Sequence, residues 1–269
     1  MVRDRGVNLL SGDIRMKNII ACNLNSYGQF REGAYPHLAK IGLTNVEIAV
    51  PALGDVDNVL AELKSHGLTA TSVAAPCDVQ DENVVSDFQA CLDAANRMGV
   101  KVIFTSTHAG DHDRNVIYER LRQIGEHAAP LGIKVCLETH LDLAHNADVA
   151  LETMQGVNHP NICINFDTGN VYFYNHGVTA VGELRKIMGH VGAVHLKDTN
   201  GGYRMWHFPA LGEGVVDFRG VFQILNHAGF YGPCAMELEG IEGEDIDEAG
   251  VQARMEQSVA YLKSIGIMD

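Results

Sequence analysis

The chain has 269 residues, 46% hydrophobic and 20% charged, a composition that supports a sizeable core and argues against disorder. Its 34 acidic and 20 basic side chains leave a net charge of −14, and with no Lys/Arg cluster able to track a phosphate backbone, a nucleic-acid partner is disfavoured. The six cysteines (Cys22, Cys77, Cys91, Cys136, Cys163 and Cys234) form no CxxC pair, and four lie in apolar strand-like runs, which points to a reducing compartment.

Residues 1–17 are polar and mixed in charge. They read as an irregular leader without the apolar core of a signal peptide, and no apolar run approaches a membrane-spanning length. A cytoplasmic location with no membrane partner is expected. From residue 18 to 269 the sequence alternates strand and helix. The first strand is read over 19–24, with a helix to Ile41 stopped by Gly42. Strand two covers 45–50, and a helix capped by Asp55 carries Val59, Leu60 and Leu63 at helical spacing before Gly67. Strand three spans 71–75, and an amphipathic helix over 84–98 puts Phe88, Leu92 and Ala95 on one face. Strands four to eight follow over 102–105, 135–138, 162–167, 192–195 and 233–237. Helices are read at 116–129, 147–154, 178–188, 218–228 and 249–265.

Strands that are continuously apolar are covered on both faces, and helices that end in Gly just before the next strand imply a parallel sheet. Eight such units fit a single α/β (β/α)8 barrel. A doubly wound sheet usually has fewer strands and often a Gly-rich phosphate loop after the first, which Asn23 to Phe30 do not make. Within the barrel, the longest insert outside the repeat, 199–216, is Gly-rich and aromatic and suits a cover over a site.

A (β/α)8 barrel carries its site at the C-terminal strand ends. Those ends hold Glu138, Asp167, His195 and Glu237. Each alone has a plain reading: a rim salt bridge for Glu138, a turn before Gly for Asp167, a core histidine for His195, and competition from Glu239 for Glu237. Together, three carboxylates in one mouth repel one another without a counter-charge, and a divalent cation is the simplest remedy. Three oxygens and one imidazole suit Mn2+, Mg2+ or Co2+, and also Zn2+.

The ordered stretches Leu137-Glu138-Thr139-His140, Asn165-Phe166-Asp167-Thr168-Gly169-Asn170, Val194-His195-Leu196-Lys197-Asp198, Leu211-Gly212-Glu213-Gly214 and Met236-Glu237-Leu238-Glu239 resemble the xylose-isomerase-like TIM barrel superfamily, in particular its sugar isomerase/epimerase group. The resemblance spans the chain after the leader. It implies one divalent metal, Mn2+ foremost, held by Glu138, Asp167, His195 and Glu237. It also implies that Glu138 and Glu237 move protons on a keto-sugar through a metal-stabilised enediolate. A small carbohydrate substrate and a homo-oligomer, dimer or tetramer, are implied as well. His108, His140, Arg204, Trp206 and His207 are candidate substrate contacts, while Lys197 and Asp198 read as rim supports. Asn170 stands where the family's abasic-site endonucleases have a histidine, and their Asp-Arg-His turn after strand seven is missing, which speaks against nuclease chemistry. Two other outcomes are open: a dehydratase or lyase on a keto-inositol or 3-keto-glycoside, with His207 or His108 as general acid, and a non-catalytic sugar-binding barrel.

Overall fold

Strands β1 (Ile19–Asn23), β2 (Asn45–Ala49), β3 (Thr69–Ala74), β4 (Val102–Thr105), β5 (Lys134–Glu138), β6 (Ile162–Asp167), β7 (Val191–Leu196) and β9 (Pro233–Met236) close, all parallel, into one barrel in the computed structural model, which describes residues 18–269. The leader expected over 1–17 lies outside the described residues. Around the barrel stand α1 (Ala34–Lys40), α2 (Val56–Ser65), α3 (Val84–Met98), α4 (Arg114–Ala128), α5 (Ala147–Val157), α7 (Ala180–Ile187), α8 (Phe218–His227) and α9 (Glu248–Ser264). This is the (β/α)8 architecture expected from the sequence. The glycines read as helix stops all have positive φ, as Gly99 does at 75°, where a Cβ would strain the backbone.

Two regions differ from expectation. Leu24–Gly33 forms a 3-10 stretch kinked at Gly28, and a regular helix begins only at Ala34. The cause is local: the Asn23 side chain accepts from the Asn25 backbone N–H and Gly28 adopts φ 51°, so side-chain capping and a left-handed turn win over helix. After β6 comes a five-residue helix, α6 (Asn170–Tyr174), too short to show periodicity. The 199–216 insert contributes β8 (His207–Phe208), which pairs antiparallel with β10 (Gly240–Ile241).

Strand side chains alternate between two cores. Those facing outward, such as Val46, Val73, Ile103, Leu137, Phe166 and Leu196, join the large cluster beneath the helices. Those facing inward form a separate small cluster of Val102, Phe104, Cys136, Cys163 and Ala193, which fills the lower lumen. Gly192 is an extra residue of β7, unpaired between Ile164↔Val191 and Asn165↔Ala193. A Cβ on it would come within 2.7 Å of the Cys136 Sγ. Past this bulge Asp167 and His195 are register partners. A similar shift before Glu47 sets that residue opposite Ser72.

Candidate active site

Glu138, Asp167, His195 and Glu237 converge in the upper lumen, their ligating atoms all within 4.8 Å of one another. Parity explains it: each caps the inward row of its strand, directly above Cys136, Asn165, Ala193 and Ala235. All four are buried, Asp167 and His195 completely. The His195 Nδ1 lies 3.1 Å from the Glu138 Oε1, 3.1 Å from the Glu237 Oε2 and 3.7 Å from the Asp167 Oδ2. One oxygen of Asp167 makes the turn that its Gly neighbour suggested, accepting the Gly169 and Asn170 backbone N–H groups at 2.8 and 2.7 Å. Its Oδ2 faces the cluster, and neither that oxygen nor the Glu237 Oε2 accepts an aligned hydrogen bond.

Two charged residues in this cluster were not assigned to it from the sequence. Glu47, 1% exposed, accepts from the Asn23 amide at 3.0 Å and from the Ser72 hydroxyl at 2.7 Å, and its Oε1 lies 2.9 Å from the His195 Nε2. A carboxylate on Nε2 fixes that nitrogen as the donor and leaves the Nδ1 lone pair for a cation. Glu47 was legible as a lone charge inside the apolar strand Asn45-Val46-Glu47-Ile48-Ala49. Lys197, read as a rim support, is instead buried inside the mouth. Its Nζ lies 3.1 Å from the Asp167 Oδ2, 2.8 Å from the Glu237 Oε2 and 2.6 Å from the Glu239 Oε2. The signal was its spacing: two residues past His195, it shares that strand face. Asp198 points the other way and ties the insert down, accepting the Gly212, Gly214 and Val216 backbone N–H groups.

Burial alone would lower the His195 imidazole, but the Glu237 and Glu47 carboxylates, with those of Asp167 and Glu138 beside Nδ1, hold it well above its usual range. Burial and then Glu237 raise the Glu138 carboxyl, against His195 and Lys197. Burial works in the same direction on Glu237, but Lys197 and His195 outweigh it and keep that carboxyl well below the ordinary range. Glu239 is pushed up to about 7 by burial, with Lys197 opposing and Glu237 adding to the rise. Three carboxylates and one oriented imidazole, with two oxygens lacking aligned hydrogen bonds, fit one divalent cation. Glu47→Gln is expected to weaken metal binding by about 10–100-fold in a competition titration against a chelator. Unchanged affinity would show that Glu47 only fills space.

A cavity of about 160 Å3 opens above the cluster, bordered by Ser106, Glu138, His140, Tyr174, Lys197, Trp206, Phe208, Glu237 and Glu239 among others. Two of the sequence-derived substrate contacts line it. His140 shares a hydrogen bond of 2.7 Å with the Tyr174 hydroxyl, and burial, then His108 and Lys197, lower it to about 4. Trp206 is 43% exposed and packs edge-on against Phe173 and Phe208. His108 does not border the cavity but packs edge-on against His140 at 4.6 Å. Arg204 and His207 also lie outside the lining: the Arg204 guanidinium covers the Tyr203 ring, and His207, between Trp206 and Phe208 on β8, shares neither neighbour's face.

Residues 36–265 match the xylose isomerase-like TIM barrel family. Over 194 residues, 60% of this chain and 65% of the relative, the sequence is 24% identical to inosose dehydratase of Klebsiella pneumoniae subsp. pneumoniae. Over 167 residues, 60% of this chain and 57% of the relative, it is 29% identical to an L-ribulose-5-phosphate 3-epimerase of Shigella boydii. The chain therefore spans less than two thirds of these relatives' length. The D-psicose 3-epimerase of Clostridium cellulolyticum H10, solved with D-tagatose, aligns with a TM-score of 0.74 over 91% of this chain and 98% of that one at 16% identity, a likeness of fold alone.

Proposed function

The chain belongs to the xylose isomerase-like TIM barrel family, and on that footing we propose that it is a divalent-metal-dependent isomerase or epimerase of a keto-sugar. The observation that carries this reading is that Glu138 and Glu237 both join the buried ligand cluster and both border the cavity above it. Glu138, Asp167, His195 and Glu237 would hold the ion, with Mn2+ our assignment for so oxygen-rich a set. When bound, it supplies Lewis acidity to a carbonyl and its neighbouring hydroxyl.

The chain's own residues do the rest. One glutamate takes the proton alpha to the carbonyl. The other returns it, on the opposite face in an epimerase or to the adjacent carbon in an isomerase. Trp206 and Phe208 add aromatic rings to the cavity wall.

A dehydratase is the second reading, favoured by the likeness to inosose dehydratases and by the hydrogen-bonded Tyr174 and His140 on the cavity wall, where a general acid for an expelled hydroxyl would stand. Metal analysis of the purified protein, with solvent-deuterium incorporation into a panel of keto-sugars, tests both. Label in an epimer or positional isomer supports the first reading, and label accompanied by loss of water supports the second. Absence of metal and of label from every member would sink both.

A further inference from the structure

The two glutamates of the cluster are held in different ways. Each turns one oxygen toward the other ligands: the Glu138 Oε1 and the Glu237 Oε2 both lie 3.1 Å from the His195 Nδ1. The other oxygen of each has a neutral partner. For Glu237 it is the Asn23 amide, which donates to the Oε1 at 3.2 Å. For Glu138 it is the Ser106 hydroxyl, which donates to the Oε2.

The Asn23 partner is locked in one direction. Its amide nitrogen also donates to Glu47 at 3.0 Å, and its Oδ1 accepts the Asn25 backbone N–H at 2.9 Å, so turning the amide over would break both bonds. A hydroxyl is not bound in this way: it donates to a carboxylate and, after turning about its C–O bond, accepts from a carboxylic acid. Ser106 has room to turn, because it is exposed and borders the cavity above the cluster. Its backbone, by contrast, is fixed. Alternation carried one residue past β4 sets Ser106 on the inward row of Val102 and Phe104. Just beyond it the Thr107 hydroxyl donates to the Cys77 carbonyl at 2.6 Å, and the Asp142 carboxylate accepts the Ala109 and Gly110 backbone N–H groups, each at 3.0 Å.

We infer, on the footing of the two-glutamate function proposed above, that Ser106 is a positioning residue for the proton transfer. It keeps the Glu138 Oε2 off the ion and turned to the substrate, and it stays hydrogen-bonded to that oxygen before and after the proton arrives. In the step, the C–H bond alpha to the carbonyl breaks, its hydrogen becomes the O–H of the Glu138 Oε2, and its electron pair stays on the sugar as the enediolate. Ser106 keeps its own hydrogen, which swings toward the cavity while the hydroxyl oxygen accepts.

Ser106→Ala and Ser106→Thr, the second of which keeps the hydroxyl, separate this from a merely structural role. In a competition titration against a chelator, Ser106→Ala should bind Mn2+ on the order of tenfold more tightly, because the released Oε2 can join the Oε1 on the ion. In the deuterium assay over a panel of keto-sugars, D-tagatose among them, the same variant should lose on the order of tenfold in kcat, with KM unchanged. Ser106→Thr should rescue both. Mn2+ affinity that is unchanged or weaker in Ser106→Ala, unchanged kcat, or Ser106→Thr behaving like Ser106→Ala would overturn the assignment. Tighter Mn2+ binding that Ser106→Thr reverses, with no deuterium uptake from any sugar by the unaltered protein, would leave Ser106 as the residue that positions Glu138 and remove the proton-transfer reading.

Discussion

Glu138→Gln and Glu237→Gln, made separately, are each expected to lower turnover by about a thousandfold while the barrel stays folded. Each substitution keeps the side chain's shape and one oxygen able to face a cation, but removes the base. The two losses should not be alike. If the carboxylates work from opposite faces, each variant can still take a proton from at most one of the two epimers. Solvent deuterium would then wash into one epimer in the first variant and the other epimer in the second. Turnover within tenfold of the unaltered enzyme in both variants would disprove the two-glutamate mechanism. A mutual loss of metal, measured alongside, would instead show that the glutamates matter first as ligands.

Lys197→Met should be the most damaging change to stability in the site. Lys197 is 1% exposed, and its ammonium lies within 3.1 Å of the carboxylates of Asp167, Glu237 and Glu239 and of the Asn170 Oδ1. Burial opposes its charge, but these carboxylates hold it protonated well above the usual lysine range. Taking away one partner of a buried ionic network costs roughly 3–5 kcal/mol, because the others are left uncompensated. For a domain of this size that lowers Tm by on the order of 10 °C. The loss should be largest in chelator and should shrink when Mn2+ is saturating, since the ion would compensate Asp167 and Glu237. Thermal melts of both proteins in the two conditions check this. An equal loss in each would mean that Lys197 acts through packing, including its seat over the Phe208 ring at 5.0 Å.

The barrel was legible where a single physical signal dominated. Helix α3 and strand β6 run as read, Val84–Met98 and Ile162–Asp167, because the buried face of Phe88 and Leu92 and a run apolar but for Asn165 leave no competing structure. Glu138, Asp167, His195 and Glu237 were legible because each ends such a run. Glu47 and Lys197 were harder to place. Glu47 is buried mid-strand among partners on three other strands, Asn23, Ser72 and His195, none near it in sequence, and Lys197 resembles an ordinary surface lysine until β7 is given its inward row. The cavity wall of Tyr174, Trp206 and Phe208 depends on a five-residue helix and a two-residue strand, neither long enough to carry a period. Arg204 and His207 were read as candidate substrate contacts within the insert after β7 and lie outside the cavity lining. The alternation of β8 and the stacking of Arg204 on Tyr203 turn them elsewhere.

The floor of Phe104, Cys136, Cys163 and Ala193 under the ligand cluster also bears on the proposed proton transfer. With these apolar side chains beneath the cluster, the cavity bordered by Trp206 is the open way from either glutamate to bulk solvent. The proton's residence on the enzyme is then set by how often that aromatic edge admits water, and a hydrogen taken from one carbon can be handed back before it is diluted. On the proposed mechanism the barrel would thus keep an isotopic memory. Label entering from solvent counts the abstractions that escape internal return, and the true frequency of bond breaking is higher than the label records.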